Sequence, residues 1–268
     1  MSAEALNVPF TAINDTLLVT GATSGIGQAV AGAALDAGLK VAIVGRRQEA
    51  LDETLAELGK GREDRIAPLI CDVSDEDQVA AAVAEATERL GPPLGLVTSA
   101  AVDRGGLLHE LDPESFDAVI ATNLRGTYLL CRACLPGMIA AGSGSIVCVS
   151  SPLGLVATAG GSGAYSASKA GINAIARSIA LDYADHGIRA NALLPGPTET
   201  KLMWANVPDA EVAEMRATIN NEVPLGRLAQ PEEIAHPALW LLSDEGSYIT
   251  GGAIPCDGGV LAKASVTV

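Results

Sequence analysis

Apolar residues in this chain come in short unbroken runs, separated by longer stretches where they recur every three or four positions. An unbroken run bounded by turn residues suits a strand buried on both faces, and a 3.6-residue recurrence suits a helix with one face in a core. The runs predict strands over Thr16–Thr20, Lys40–Val44, Ile66–Cys71, Leu94–Ser99, Ser145–Ser150, Arg189–Leu194 and Ala253–Pro255. Between them the spacing predicts helices over Gly27–Ala37, Glu49–Leu58, Asp75–Leu90, Pro113–Ala141, Tyr165–His186 and Pro231–Leu242. Pro231 suits the first helical position, and Glu232 and Glu233 suit the positive end of the helix dipole. Such alternation implies an α/β fold: a doubly wound, mostly parallel, seven-stranded sheet with helices on both faces. Glu199–Asn221 breaks the alternation and reads as a helical insertion. The expectation is one domain over 1–268 with a helical lid at about 199–222.

The first strand runs directly into Thr20-Gly21-Ala22-Thr23-Ser24-Gly25-Ile26-Gly27, and an alanine-rich helix follows. Glycines there permit a tight turn and let backbone amides approach a pyrophosphate at the helix N-terminus. The position, between first strand and first helix, makes this a Rossmann-type dinucleotide site, although the spacing is G-x-x-x-G-x-G. The second strand ends in Val44-Gly45-Arg46-Arg47, where an NAD site usually carries a carboxylate for the ribose hydroxyls. Two guanidinium groups suit a 2′-phosphate, which points to NADP(H), with NAD(H) still open. Asp72 and Val73, after the third strand, are placed to meet the adenine edge. Asp72 could equally cap the helix that follows.

Tyr165-Ser166-Ala167-Ser168-Lys169 opens a long helix and sets Tyr165 and Lys169 on one face. A free phenol, with a pKa of about 10, is a poor acid–base catalyst at neutral pH, and a nearby ammonium favours its ionised form. Ser151, at the end of the fifth strand, can return to the same pocket and donate to a developing alkoxide.

The formal net charge of −15 disfavours nucleic acid or an anionic membrane as partner. Met1–Asn14 lacks the pattern of a signal peptide, and no apolar stretch reaches membrane-spanning length. Cys131 and Cys134 form a C-x-x-C inside a helical run, so buried thiols are expected. His109, His186 and His236 are scattered, so no metal site is expected. The default is a cytoplasmic enzyme without structural disulfides.

Taken together, these motifs resemble a classical short-chain dehydrogenase/reductase, from the glycine turn to Asp257-Gly258-Gly259. Asn123-Leu124-Arg125-Gly126, Pro195-Gly196, Pro224-Leu225-Gly226-Arg227 and Pro231-Glu232-Glu233-Ile234-Ala235 match in order. The resemblance implies a catalytic set of Asn123, Ser151, Tyr165 and Lys169, in which Asn123 holds a water linking Lys169 to solvent. It further implies that Ile188–Thr200 embraces a nicotinamide, with Pro195 and Gly196 beside it and Thr198 or Thr200 near its carboxamide or the phosphates. Where the family usually has Asn-Asn-Ala-Gly, this chain reads Thr98-Ser99-Ala100-Ala101, and Ala101 puts a methyl near the expected ribose. Dimers or tetramers through the helices Asn123–Ala141 and Tyr165–His186 are implied, with a tetramer favoured. Small residues Ala167, Ala170, Gly171 and Ala174 would let two helices approach.

The expected activity is hydride transfer between NADP(H) and a small, mostly apolar carbonyl or secondary alcohol. Leu202, Met203, Trp204, Val207 and Met215 of the lid suit such a ligand, and equally suit plain packing of the lid on the body. The helix ends Ala140-Ala141-Gly142 and Asp185-His186-Gly187 supply no firm positive charge for an acidic carrier protein. A 3-oxoacyl-carrier-protein reductase and a non-catalytic cofactor sensor remain the alternatives. An epimerase or dehydratase would need an added base, for which Asp103 after the fourth strand is the nearby suggestion, but Asp103-Arg104 reads as a solvated loop pair.

Overall fold

The unbroken apolar runs become strands, and the five inner ones bury both faces, while the edge strands at Ile66–Ile70 and Ala253–Cys256 stay partly open. The computed structural model describes residues 16–263; the outer limits of the expected domain and the Met1–Asn14 reading lie outside them. Strands β1 (Thr16–Thr20), β2 (Lys40–Gly45), β3 (Ile66–Ile70), β4 (Gly95–Thr98), β5 (Gly144–Val149), β6 (Ile188–Pro195) and β7 (Ala253–Cys256) form one sheet. Every pair is parallel, in the order β3-β2-β1-β4-β5-β6-β7. The order reverses between β1 and β4, where the ends Thr20 and Thr98 stand side by side. A reversal of this kind opens a crevice at the strands' C-terminal ends.

Alternate strand residues feed two cores. Leu18, Ala42, Val44, Leu96 and Ile146 pack on one face beneath α3 (Glu76–Leu90), α5 (Gly126–Ala141) and α6 (Gly163–Asp182). On the other face, Leu17, Val19, Val41, Ile43 and Val147 lie beneath α1 (Gly25–Asp36), α2 (Gln48–Leu58) and α8 (Pro231–Leu242). Each fully buried aliphatic side chain contributes about 1.5–3 kcal/mol before entropy, against about 0–1 for an exposed ion pair. The double core therefore holds the sheet. Pro231 does open α8, where Gln230 and Glu233 form a capping box.

One expected helix is broken. Pro113–Ala141 divides into α4 (Pro113–Val119), a π-helical turn over Ile120–Arg125, and α5. Asn123 lies in that turn, fully buried. Its side chain receives the amide of Val102 at 2.8 Å and donates to the Val102 carbonyl at 2.9 Å and to Ser168 Oγ at 3.1 Å. Satisfying a buried amide so completely offsets the irregular turn. Likewise α6 stops at Asp182, and a short 3₁₀ turn covers Ala184–His186. Gly171 does not face outward as expected: a methyl there would lie 2.7 Å from Leu124. The inserted segment carries α7 (Val212–Glu222). Among the described residues no helix is long and apolar enough to cross a membrane.

Candidate active site

The glycine turn sits at the crevice. Gly21 and Gly25 take φ of 63° and 54°, in the left-handed region, and a methyl on Gly27 would meet the Gly21 carbonyl oxygen at 2.4 Å. Ser24 caps α1 without a side-chain hydrogen bond, and the first turn holds no acid. Its amides are thus available to an anion, with the positive dipole end behind them. Thr23 lies against the end of β2, where a methyl on Gly45 would meet it at 2.7 Å, and Ile26 packs on the core. This cradle fits a dinucleotide.

Across the crevice, the Thr20 hydroxyl accepts from the amides of Ser99 (3.2 Å) and Ala100 (3.3 Å). Thr127 Oγ lies 3.4 Å from Thr98 Oγ and 2.8 Å from the Asn123 carbonyl. Hydroxyls therefore tie this strand end where asparagines would otherwise stand, and Ala101 follows half-buried. Arg46 and Arg47 are exposed just past β2, with Arg46 4.0 Å from Asp72. Asp72 is not the helix cap: Asp75 holds that place, and Asp72 Oδ1 accepts from the amide (2.9 Å) and hydroxyl (2.7 Å) of Ser74. The Val73 side chain is buried against Gly126.

Ser151, Tyr165 and Lys169 come together as expected. Ser151, buried past the end of β5, accepts from the Leu153 amide at 3.2 Å. Lys169 is 2% exposed; its Nζ donates to the Val149 carbonyl at 2.8 Å and sits 5.3 Å from the centre of the Tyr165 ring. Burial pushes the Lys169 ammonium down to about 8, against the opposing charges of Cys148 and Asp103. Tyr165 departs from expectation. Burial, helped by the charge of Asp103, raises its phenol above the ordinary value, while a hydrogen bond with Ser151 pulls it down. In the protein alone, desolvation outweighs the Ser151 hydrogen bond. Asn123 spends its side chain on Val102 and Ser168, and its carbonyl accepts from the Thr127 hydroxyl.

Beyond β6, Gly196 donates its amide to the Cys256 carbonyl at 3.0 Å, next to Pro195. Thr198 is buried with its hydroxyl on the Gly196 carbonyl (2.9 Å). Thr200 instead faces the glycine turn, its methyl 3.0 Å from where a Gly25 Cβ would stand. Within the lid, the Glu199 carboxylate accepts from Trp204 Nε1 (2.7 Å) and from both arms of Arg216, whose guanidinium lies 4.8 Å from the Trp204 ring centre.

Sequence reasoning missed Asp103. It is half-buried, and its Oδ1 is closed to solvent with no hydrogen-bond partner. Burial raises its carboxyl, and Lys169 and the Arg104 amide oppose that rise. No ion pair joins it to Arg104 among the described residues. A solvated loop pair is therefore not what forms. Cys131 and Cys134 are buried free thiols, as expected. No group of three or more His, Cys, Asp or Glu among the described residues could hold a metal.

Residues 21–261 match the family described as Enoyl-(Acyl carrier protein) reductase. The chain is 41% identical over 246 residues to cis-4-hydroxycyclohexanecarboxylate dehydrogenase of Sinomonas cyclohexanicum, covering 91% of this chain and 96% of that one. It is 37% identical over 244 residues to a 3-oxoacyl-(acyl-carrier-protein) reductase of Thermotoga maritima, again covering 91% and 96%. A variant of actinorhodin polyketide ketoreductase, crystallised with NADPH, superposes with a TM-score of 0.86 at 34% identity, covering 92% of this chain and 97% of that one. The chain belongs to the short-chain dehydrogenase/reductase family and is an oxidoreductase of that type.

Proposed function

We propose that this protein is an NADP(H)-dependent oxidoreductase of free, small, mostly apolar ketones or secondary alcohols. The convergence of Ser151, Tyr165 and Lys169 beside the glycine turn carries the reading. Ser151 holds the substrate oxygen, and Tyr165 gives that oxygen its proton or takes it away. Lys169 fixes the ribose side of the site and lends positive charge beside the phenol. A nicotinamide bound in the cradle supplies or accepts the hydride, and its oxidised form adds the charge that favours phenolate. Gly21, Thr23, Ser24, Gly25, Ile26 and Gly27 would hold the pyrophosphate, with Thr200 opposite. Ser99, Ala100 and Ala101 would border the ribose, and Pro195 and Gly196 the nicotinamide.

Arg46 and Arg47 support NADP(H), as does the NADPH bound to the ketoreductase relative. Exposed Leu108 lies against Gly163, Leu155 and Val156 follow Ser151, and Met215 sits on α7, which together favour an apolar substrate. The Thermotoga relative favours the competing reading, reduction of an acyl group on a carrier protein. A sensor has no use for the full Ser–Tyr–Lys set. One domain over 1–268 with a lid at about 199–222, in the cytoplasm, completes the proposal.

Absorbance of reduced nicotinamide, followed with cyclic and aromatic ketones and with acetoacetyl carrier protein, tests it. The expected result is higher kcat/KM for the free ketones and for NADPH over NADH, with Arg46→Asp moving cofactor preference toward NADH. Preference for the carrier-bound substrate would overturn the substrate reading. Equal binding of NADH and NADPH by the native protein would overturn the cofactor reading.

A further inference from the structure

We propose that Asp103 is a substrate-recognition residue, and that the substrate carries a second hydroxyl beside the reacting carbon. This rests on the free-substrate reading above and sharpens it.

The backbone that carries Asp103 is fixed on every side. Val102, just before it, is clamped at both its amide and its carbonyl by Asn123. The Asp103 carbonyl accepts from Asn206 of the lid segment at 3.4 Å. Beyond it, the Gly106 amide donates to the Gly161 carbonyl at 3.0 Å, which ties this loop to the one leading into α6. The backbone that bears the carboxyl is thereby tied to the catalytic helix's approach and to the lid. Asn123, which clamps Val102, also donates to Ser168 Oγ beside Lys169, and this sets the Asp103 segment next to the catalytic helix.

Oδ1 nevertheless has no donor. A buried acceptor without a partner is costly, and such groups in folded proteins are completed by protein, water or ligand. Lys169 Nζ donates to the Val149 carbonyl, and no ion pair joins it to Asp103 among the described residues. A purely apolar ketone would leave Oδ1 unsatisfied. An acyl thioester would bring only carbonyl oxygens, which are acceptors and repel it. A hydroxyl donates to the ionised carboxylate and a carbonyl cannot, so the arrangement selects by hydrogen-bond polarity. Sites built to pair a substrate hydroxyl reject the analogue that lacks it far more strongly than apolar pockets reject an extra methylene.

The test uses matched ketones that differ by one hydroxyl: cyclohexanone against 2-hydroxycyclohexanone, and butan-2-one against 3-hydroxybutan-2-one. The ratio of kcat/KM within each pair is measured for the native enzyme, Asp103→Ala and Asp103→Asn. Comparing ratios between variants cancels the intrinsic reactivity of the hydroxyketones. The ratio is expected to fall about 10-fold or more in Asp103→Ala, the worth of one hydrogen bond to a charged group. The unsubstituted ketones should lose less kcat/KM than the hydroxyketones, and Asp103→Asn, which retains an acceptor oxygen, should keep part of the preference. An unchanged ratio in Asp103→Ala, with both ketones still turned over, would overturn the assignment and leave the free-substrate reading standing. Equal losses on both members of a pair would also overturn it, in favour of an acid–base or structural role. Turnover of acetoacetyl carrier protein but of neither ketone would defeat the underlying reading itself.

Discussion

Burial acts in opposite directions on the two titrating groups that the site depends on. It raises the Tyr165 phenol and lowers the Lys169 ammonium to about 8. For Lys169 the consequence is a stability that depends on pH. Its folded value lies below the unfolded value, so between about 8 and 10.5 the unfolded chain binds the extra proton and stability rises with pH. The cost of burying the cation is present in full below that window and is gone above it. Relative to Lys169→Met, the native protein should gain on the order of 3 kcal/mol across the window, from about 1.4 kcal/mol per pKa unit. Urea denaturation at a series of pH values measures this, and a constant difference between the two proteins would contradict it. At this scale Ser151, Tyr165 and Lys169 were legible because chemistry demands those residue types at a spacing that helix geometry supplies. Asp103 was not legible. An acid beside Arg104 and two glycines reads as solvated, and the contacts that order its loop, such as Asn206 on its carbonyl and Gly161 on Gly106, are remote in sequence. Thr198 and Thr200 could not be separated for the same reason: which of them faces Gly25 is decided by tertiary packing.

At the scale of elements, the strands fall within a residue or two of their expected ends, since a parallel strand buried on both faces leaves an unbroken apolar run. The π turn at Ile120–Arg125 was hidden. It keeps the apolar stripe of the expected Pro113–Ala141 helix running, and its cause is the contact of Asn123 with Val102, which lies far from it in sequence. The lid segment offered a different difficulty, because its order comes from a polar clasp of Glu199, Trp204 and Arg216 and not from an apolar face. Arg216 is 41% exposed on its side chain and Glu199 28%, so the clasp is worth at most about 1 kcal/mol. Arg216→Ala should therefore raise KM by roughly five-fold or less, with kcat and cofactor affinity little changed, as steady-state kinetics can measure. A fall in kcat with KM unchanged would mean that the clasp acts on chemistry and not on lid order.

At the scale of the molecule, the fold brings together residues from the ends of β1, β4, β5 and β6 at one sheet edge, with the lid above them. The outer stripe of α6 carries exposed Ala167, Ala170, Ala174 and Leu181, the last 81% exposed, and Tyr128 of α5 is 49% exposed. An uncovered apolar stripe of this kind supports the proposed homo-oligomer, a tetramer or dimer closed through these helices. Light scattering should give a multiple of the 27.1 kDa chain, and Leu181→Asp should shift it toward smaller species. A native monomer across micromolar concentrations would refute the arrangement. The central claim is narrower, namely that one phenol moves the proton. Tyr165→Phe removes a single hydroxyl from a half-buried ring, so the fold and the cradle should survive. Turnover of a ketone by Tyr165→Phe, measured alongside NADPH binding by fluorescence, is the most direct test. Binding close to native with turnover reduced at least 100-fold is the expected result, and near-native turnover would contradict the account.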